Sequence, residues 1–212
     1  YRPEDVDALL QQLAQQMEQL QAEKESAEKK LYVLAQKVEE YRKDEDNLKT
    51  ALLNAQRMGE NVVREANQKA EETDAPAGAM MLPDGRVITG KTSSLLGASA
   101  ALLLNALKAM AGIRSDLDLI SNQVIEPISA LKIQSLGHHN PRLHSDEVLI
   151  ALAISGLTNP LADMARDQLG SLRGCDAHFS VIISEEDIKL YKRLGIHVSC
   201  EPKYESKRLY HK

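Results

Sequence analysis

The stretch from Val6 to Ala66 reads VDALLQQLAQQMEQLQAEKESAEKKLYVLAQKVEEYRKDEDNLKTALLNAQRMGENVVREA, with no proline and a single glycine, Gly59. Its apolar residues recur every 3.5 residues on average, which is typical of a long two-stranded coiled coil. A seam this narrow cannot be buried within one helix, so we expect a partner helix, and self-association supplies it most simply. At about 1.5 Å per residue, the helix would be a rod roughly 90 Å long.

The seam has two alternating positions, and only Lys24, Glu45 and Gly59 interrupt its apolar character. Lys24 and Glu45 are interpreted as polar seam residues that set the alignment of the two helices. A single solvated helix and one arm of an antiparallel bundle are the alternatives. One position holds Val6, Leu13, Leu20, Ala27, Leu34, Tyr41, Leu48, Ala55 and Val62; the other holds Leu10, Met17, Lys24, Leu31, Val38, Glu45, Leu52, Gly59 and Ala66.

Composition limits the function classes. Residues 1–79 carry a net charge of −6 and the remainder +1, so neither part is basic enough to predict nucleic-acid binding. Two cysteines form no disulfide framework, which favours a reducing, cytoplasmic setting. No apolar run reaches transmembrane length, and the acidic start is unlike a signal peptide.

Two segments of the first part carry a family resemblance. Tyr1, the run Glu4-Asp5-Val6-Asp7 and the pair Leu9-Leu10 resemble the entry into the helical arm of DivIVA-like bacterial cell-division and polarity proteins. LLNAQRMGENVVREANQKAEE, residues 52–72, resembles the second signature of that family.

The DivIVA-like resemblance implies assembly rather than catalysis. It implies a parallel dimeric coiled coil and a scaffold that gathers division and wall-synthesis partners, in the cytoplasm at the division site or cell pole. In that family a short loop before the helix inserts into the membrane. Here that loop would precede Tyr1, which makes direct membrane contact doubtful.

After the arm, the sequence predicts a linker and a second domain. TDAPAGA, residues 73–79, has linker composition. Pro83-Asp84-Gly85 between AMML and RVITG predicts a β-hairpin. Helices are expected next, then a strand, a helix and a final strand. We therefore predict an α+β chain with an arm at 1–72 and a mixed α/β domain at 80–212. The predicted helices span 94–111, 117–135, 145–156 with Ser145 as the cap, 160–172 and 185–195, and the strands span 178–184 and 196–202.

The second part resembles a different family, the C-terminal domain of a large group of bacterial proteins of unknown function. Three segments carry this resemblance. Members normally have a larger nucleotide-fold region upstream, at the place where this chain has the DivIVA-like arm. The chain therefore joins two unrelated families, by natural fusion, gene-prediction error or design. The segments are LPDGRVITGKTSSLL at 82–96, HNPRLHSDEVLIALAI at 139–154, and GCDAHFSVIISEED at 174–187 with LGIHVSCEPKY at 194–204.

GRVITGKT, residues 85–92, matches the phosphate-loop pattern of glycine, four residues, then Gly-Lys-Thr. In such a site, backbone amides including those of Gly85 and Gly90 would cradle phosphates, Lys91 would contact the terminal phosphates and Thr92 would bind magnesium. Arg-Val-Ile in the middle reads as a strand, however, so a hairpin strand leading into a helix is the competing and favoured interpretation.

Two other groups of polar residues are candidate sites. Cys175, His178 and Cys200 lack a clear fourth metal ligand, so we predict no metal and interpret the cysteines as buried structural residues. The loop from His138 to Arg142 concentrates polar groups, and it is either an anion site near Arg142 or an ordinary turn.

The sequence therefore supports two functional hypotheses. The favoured one is a homodimeric coiled-coil scaffold, joined through residues 6–66, whose α/β domain binds other proteins or assembles. The alternative is a nucleotide-binding domain using Gly85, Gly90, Lys91 and Thr92, dimerised by the same coil. Nothing requires enzymatic activity or a cofactor.

Overall fold

A computed structural model describes residues 2–205; Tyr1 of the first family motif and residues 206–212 of the predicted domain lie outside this range. It confirms the predicted fold class, a long N-terminal helix followed by a small mixed α/β domain. The elements are α1 (Pro3–Thr73), β1 (Ala77–Met81), β2 (Val87–Lys91), α2 (Ala98–Met110), α3 (Asn122–Gln134), α4 (Ser145–Ser155), α5 (Pro160–Arg166), a 3-10 helix (Asp167–Leu172), β3 (Asp176–Phe179), α6 (Glu185–Arg193) and β4 (His197–Cys200).

The chain divides into two compact units, the first ending at Gln56 and the second beginning at Arg57. Helix α1 contributes to both. In the first unit it is the whole described structure, and every side chain described there is exposed. Proline at its first position suits a helix start, because proline has no amide hydrogen to leave unpaired.

The second unit is built on a four-stranded mixed sheet with the order β2-β1-β3-β4. Strands β1 and β2 form the predicted antiparallel hairpin, β3 pairs antiparallel with β1, and β4 pairs parallel with β3. Gly85 lies in the hairpin turn with a φ of 83°, a conformation that glycine adopts without strain.

Central strand β1 is buried on both faces because its residues alternate between two apolar layers. Ala79 and Met81 pack against Val62 and Ala66 at the end of α1. Met80 faces the main core of the unit. That core includes Leu102 and Leu107 of α2, Val148 and Leu152 of α4, Phe179 of β3 and Tyr191 of α6.

Val62 and Ala66 were assigned to the coil seam, and here they are 3% and 0% exposed beneath the sheet. The sheet therefore takes the place of a partner helix over this part of α1. Within the predicted linker, residues 77–79 already belong to β1. The domain boundaries at 72 and 80 stay a prediction.

Two local predictions are wrong in detail. The strand expected at 178–184 ends at Phe179, although Val181 and Ile183 are buried; the apolar run reflects burial without strand pairing. Ser145 is the first residue of α4 rather than its cap, and His144 holds the cap position. The amide of Ser145 is bound by Asp187, a distant residue that local sequence does not reveal.

Candidate functional site

The apolar seam of the first unit is the most extensive candidate site. Leu10, Leu20, Leu34 and Leu52 are 59%, 65%, 61% and 71% exposed. Large apolar side chains repeated at seam spacing along a helix and left in water mark an interaction surface. This part of α1 therefore offers a surface suited to another helix.

The Gly85–Thr92 segment is a hairpin in the structure. Val87–Lys91 pairs in register with β1, and the amide of Thr92 donates to the carbonyl of Pro76 at 2.7 Å. Helix α2 begins only at Ala98. A phosphate loop needs amides turned toward one point ahead of a helix, so this geometry favours the hairpin interpretation.

Each of the four predicted phosphate-site residues has a defined place. Gly85 is in the turn, exposed Lys91 ends β2, and Thr92 is buried just beyond it. A methyl group on Gly90 would lie 2.3 Å from the amide nitrogen of Leu102, so close packing against α2 explains this glycine. Phosphate binding stays a prediction, tested by titrating the Lys91→Ala variant with nucleotide.

A buried polar cluster joins the starts of α4 and α6. Asp187 Oδ1 accepts from the Ser145 amide at 2.8 Å, and Asp187 Oδ2 accepts from Ser184 Oγ at 2.8 Å. His144 Nδ1 lies 3.4 Å from Asp187 Oδ2 and 3.3 Å from Ser184 Oγ. A carboxylate at two helix N-termini is electrostatically favoured.

The charges of this cluster stabilise each other. Burial alone would raise the pKa of Asp187, but hydrogen bonds from His144 and the Ser145 amide lower it to about 2. The hydrogen bond to Asp187 raises the pKa of His144 despite partial burial. Ser184 and Asp187 approach the same imidazole nitrogen, whereas a nucleophilic triad uses opposite nitrogens. The cluster is therefore a clamp between helices.

A second ion pair holds α3 to the segment that leads into α4. The Lys132 side chain is 2% exposed, and its Nζ donates to Glu147 Oε2 and to the carbonyl of Arg142, both at 2.7 Å. Glu147 Oε2 also accepts from the amide of His144. The Arg142 guanidinium is paired with Glu205 at 2.6 Å. Its positive charge, on which the candidate anion site depends, is therefore already neutralised.

Cys175, His178 and Cys200 do not converge. His178 faces Ser199 and Glu201, at 2.8 Å from Ser199 Oγ and 3.4 Å from Glu201 Oε1. Both cysteines pack with the main core, on the opposite side of the sheet, and burial raises the pKa of each thiol. Among residues 2–205, no group of three or more His, Cys, Asp or Glu side chains is arranged to hold a metal ion.

The polar face of β3 and β4 is instead linked to α1. Asn67 Nδ2 donates to Glu201 Oε1 at 3.1 Å, and this hydrogen bond, with a smaller contribution from His178, lowers the pKa of Glu201. Residues 57–73 of α1 are therefore held to the sheet by polar as well as apolar contacts.

Sequence reasoning missed the clamp of His144, Ser184 and Asp187, although one signal was present. Ser184 and Asp187 have the three-residue spacing of a capping box, and so do His144 and Glu147. The spacing identifies helix starts. It does not reveal that the two starts meet, because the contact spans 42 residues of chain.

Comparison with known proteins confirms the joining of two families. A model described as “Domain of unknown function DUF1846, C-terminal” matches residues 58–210, and one described as “DivIVA protein” matches residues 1–79. The two matches overlap in the last part of α1 and the start of the hairpin. The DivIVA match together with the long helix indicates coiled-coil association.

Curated relatives are similar over about 70% of this chain. A UPF0371 protein of Corynebacterium efficiens is 54% identical over 151 residues, which is 71% of this chain. A UPF0371 protein of Corynebacterium glutamicum is 52% identical over 151 residues, again 71% of this chain. One of Streptococcus pyogenes serotype M5 is 47% identical over 147 residues, or 69%. The match covers 30% of the length of each relative.

The described helices show no membrane-spanning character. Among residues 2–205, none of the helices combines the length and the apolar composition that crossing a bilayer requires.

Proposed function

The chain belongs to the DUF1846 C-terminal family through residues 58–210, and we propose that its DivIVA-like arm turns that domain into a dimeric scaffold. The arm forms a homodimeric coiled coil, and the α/β domain acts as a module that assembles or binds other proteins. The scaffold works in the cytoplasm, at the division site or cell pole, as its resemblance to DivIVA-like proteins implies.

One observation carries this proposal: the seam of exposed leucines along the first unit. Four of these seam leucines are 48% to 71% exposed, and burying them against a partner helix would stabilise the dimer by several kcal/mol. They are Leu13, Leu20, Leu34 and Leu52. Of the seam at residues 6–66, the side chains from Val6 to Ala55 are exposed, whereas Val62 and Ala66 are already covered by the sheet.

The chain offers a matched test of the seam. We define a seam variant, in which four seam leucines become serine, and an off-seam variant, in which four equally exposed residues beside the seam become serine. We expect the seam variant to lose the dimer in light scattering and the off-seam variant to keep it. The seam variant changes Leu13, Leu20, Leu34 and Leu52; the off-seam variant changes Leu9, Tyr32, Val33 and Leu53.

The location of the scaffold has a separate test. A fluorescent fusion of the full chain should accumulate at division sites or poles, and the seam variant should become diffuse. A monomeric wild-type chain at about 10 µM would overturn the coiled-coil proposal, whatever the fusion shows.

A further inference from the structure

The turn of the β1–β2 hairpin contains a dipeptide that is chemically reactive. Asp84-Gly85 is the only Asp-Gly pair in the chain, and the chain has no Asn-Gly pair. Glycine places no side chain beside its backbone nitrogen, so this nitrogen can approach the carboxyl carbon of a preceding aspartate closely. The Asp84 side chain is 49% exposed, and, apart from the chain neighbours of Gly85, no atom lies within 4 Å of the point where its Cβ would stand. The two reacting groups are therefore not shielded from each other or from water.

The reaction conserves atoms and needs only water. The Gly85 nitrogen attacks Asp84 Cγ and closes a five-membered succinimide ring, while the hydroxyl of the protonated carboxyl leaves as water with the amide hydrogen. Water then opens the ring at either carbonyl. When it breaks the bond between the main-chain carbonyl carbon of Asp84 and the Gly85 nitrogen, the chain continues through Cγ and the residue becomes isoaspartate. No atom is oxidised or reduced.

We propose that Asp84 is a site of this isomerisation and that Arg86 keeps its rate low. Asp84 Oδ1 accepts from the Arg86 amide at 3.1 Å, and Asp84 Oδ2 accepts from Arg86 Nε at 2.7 Å. Arg86 Nη2 also donates to the carbonyl of Ala109 in α2 at 3.1 Å, so the guanidinium is itself held in place. The carboxylate must break these two hydrogen bonds before it can rotate into the geometry of the ring.

The same hydrogen bonds keep the carboxyl group of Asp84 in its unreactive form. Only a protonated carboxyl loses its hydroxyl readily to an attacking nitrogen. The hydrogen bond from the Arg86 amide, and next the one from the Arg86 side chain, lower the pKa of Asp84. At any pH above that pKa, the protonated fraction of Asp84 is therefore smaller than that of an ordinary aspartate.

The attacking nitrogen is restrained as well. The Gly85 amide donates to the carbonyl of Leu82 at 2.9 Å, and the Leu82 amide donates to the carbonyl of Arg86 at 2.9 Å. The Gly85 nitrogen must give up the first of these bonds, and its proton, before it can form a bond to Cγ. The fold therefore slows the reaction at both of the atoms that combine.

Isomerisation would lengthen the main chain within the turn by one carbon atom. The hairpin register places Met81 opposite Val87 beside this turn. Register in a hairpin is fixed by the type and length of the turn, so an extra main-chain atom disturbs the pairing. Isoaspartate at position 84 should therefore lower the stability of the second unit.

The test follows isoaspartate in the full chain at about pH 5, where an ordinary aspartate is still partly protonated. Isoaspartate is quantified with an isoaspartate-specific methyltransferase and located by fragmentation mass spectrometry. We expect Asp84 to isomerise at least about tenfold more slowly in the folded chain than in the same chain unfolded in about 6 M guanidinium chloride. In folded Arg86→Ala the rate should rise about three- to tenfold above that of the wild type.

Arg114→Ala is the matched control. Arg114 is also an exposed arginine two residues from an aspartate, but its Nη2 lies 3.0 Å from Asp116 Oδ2, so the variant should leave the rate at Asp84 unchanged. A wild-type rate equal to that of the unfolded chain, an Arg86→Ala rate equal to that of the wild type, or the same acceleration in Arg114→Ala would overturn the proposal. Should Arg86→Ala lose its fold by circular dichroism, Arg86→Gln replaces it, because glutamine is neutral but keeps much of the side-chain length. An unchanged rate in folded Arg86→Gln likewise overturns the proposal.

Discussion

Gly90 is a position where the backbone of one element touches the backbone of another. A methyl group there would lie 2.3 Å from the nitrogen and 2.4 Å from the Cα of Leu102 in α2, and backbone atoms cannot turn aside. We expect Gly90→Ala to destabilise the second unit by about 1 to 3 kcal/mol, the usual cost of overpacking. Thermal unfolding measures the change.

The control for this prediction is Gly59→Ala in helix α1. A methyl group at Gly59 meets no atom within 4 Å. Alanine is better than glycine in a helix by about 1 kcal/mol, so this variant should be neutral or more stable. An equal loss of stability in both variants would contradict the packing explanation.

The clamp between His144 and Asp187 predicts how stability depends on pH. The pKa of His144 is raised, so its contribution is complete below the unfolded value of about 6.5 and is lost as the pH rises through the folded pKa. The pKa of Asp187 is lowered to about 2, so its contribution is complete above about 4 and is lost as the pH falls toward 2.

Melting temperatures of the second unit should therefore be highest between about pH 4 and 6.5 and fall on either side. His144→Gln should flatten the alkaline side, because glutamine does not titrate. His197→Gln is the matched control, since His197 is exposed and its Nδ1 lies 3.0 Å from exposed Asp176 Oδ1. An unchanged alkaline slope in His144→Gln would contradict the assignment.

At the scale of elements, the end of α1 belongs to the globular unit. Val62 is 3% exposed against Met81 and Ala79, so Val62→Asp would bury an unpaired carboxylate. We expect a loss of about 3 kcal/mol or more in the stability of the second unit. Leu53→Asp, at a site 48% exposed on the same helix, should leave that unit unchanged.

Hydrogen exchange of the β1 amides provides the readout for Val62→Asp. Faster exchange there than in the Leu53→Asp protein is the expected result. Identical protection in the two variants would mean that α1 contributes little to the sheet.

Sequence was informative where structure is local. The heptad spacing predicted α1, and Pro83-Asp84-Gly85 predicted the hairpin, because both depend on residues near each other in the chain. It was less informative where distant residues meet. The seam pattern continues through Val62 and Ala66, and only the fold shows that a sheet covers them. The contact of two helix starts around Asp187 could not be predicted for the same reason.

At the scale of the whole molecule, the two units should unfold separately. The second unit has its own core, whereas the apolar side chains described in the first are buried only by association. We expect two thermal transitions in circular dichroism, with the arm's midpoint rising when the protein concentration is raised about tenfold. A single transition independent of concentration would contradict this expectation.

Tyr191 gives this molecule its own optical reporter. The chain has no tryptophan, and Tyr191 is the only buried tyrosine among residues 2–205. Its hydroxyl donates to the carbonyl of Ser99 at 2.8 Å, and its ring meets Phe179 edge-on at 5.6 Å. A ring held this rigidly in an asymmetric environment dominates the near-ultraviolet circular-dichroism signal, to which the solvated tyrosines of the arm contribute little. Loss of this signal therefore reports unfolding of the second unit.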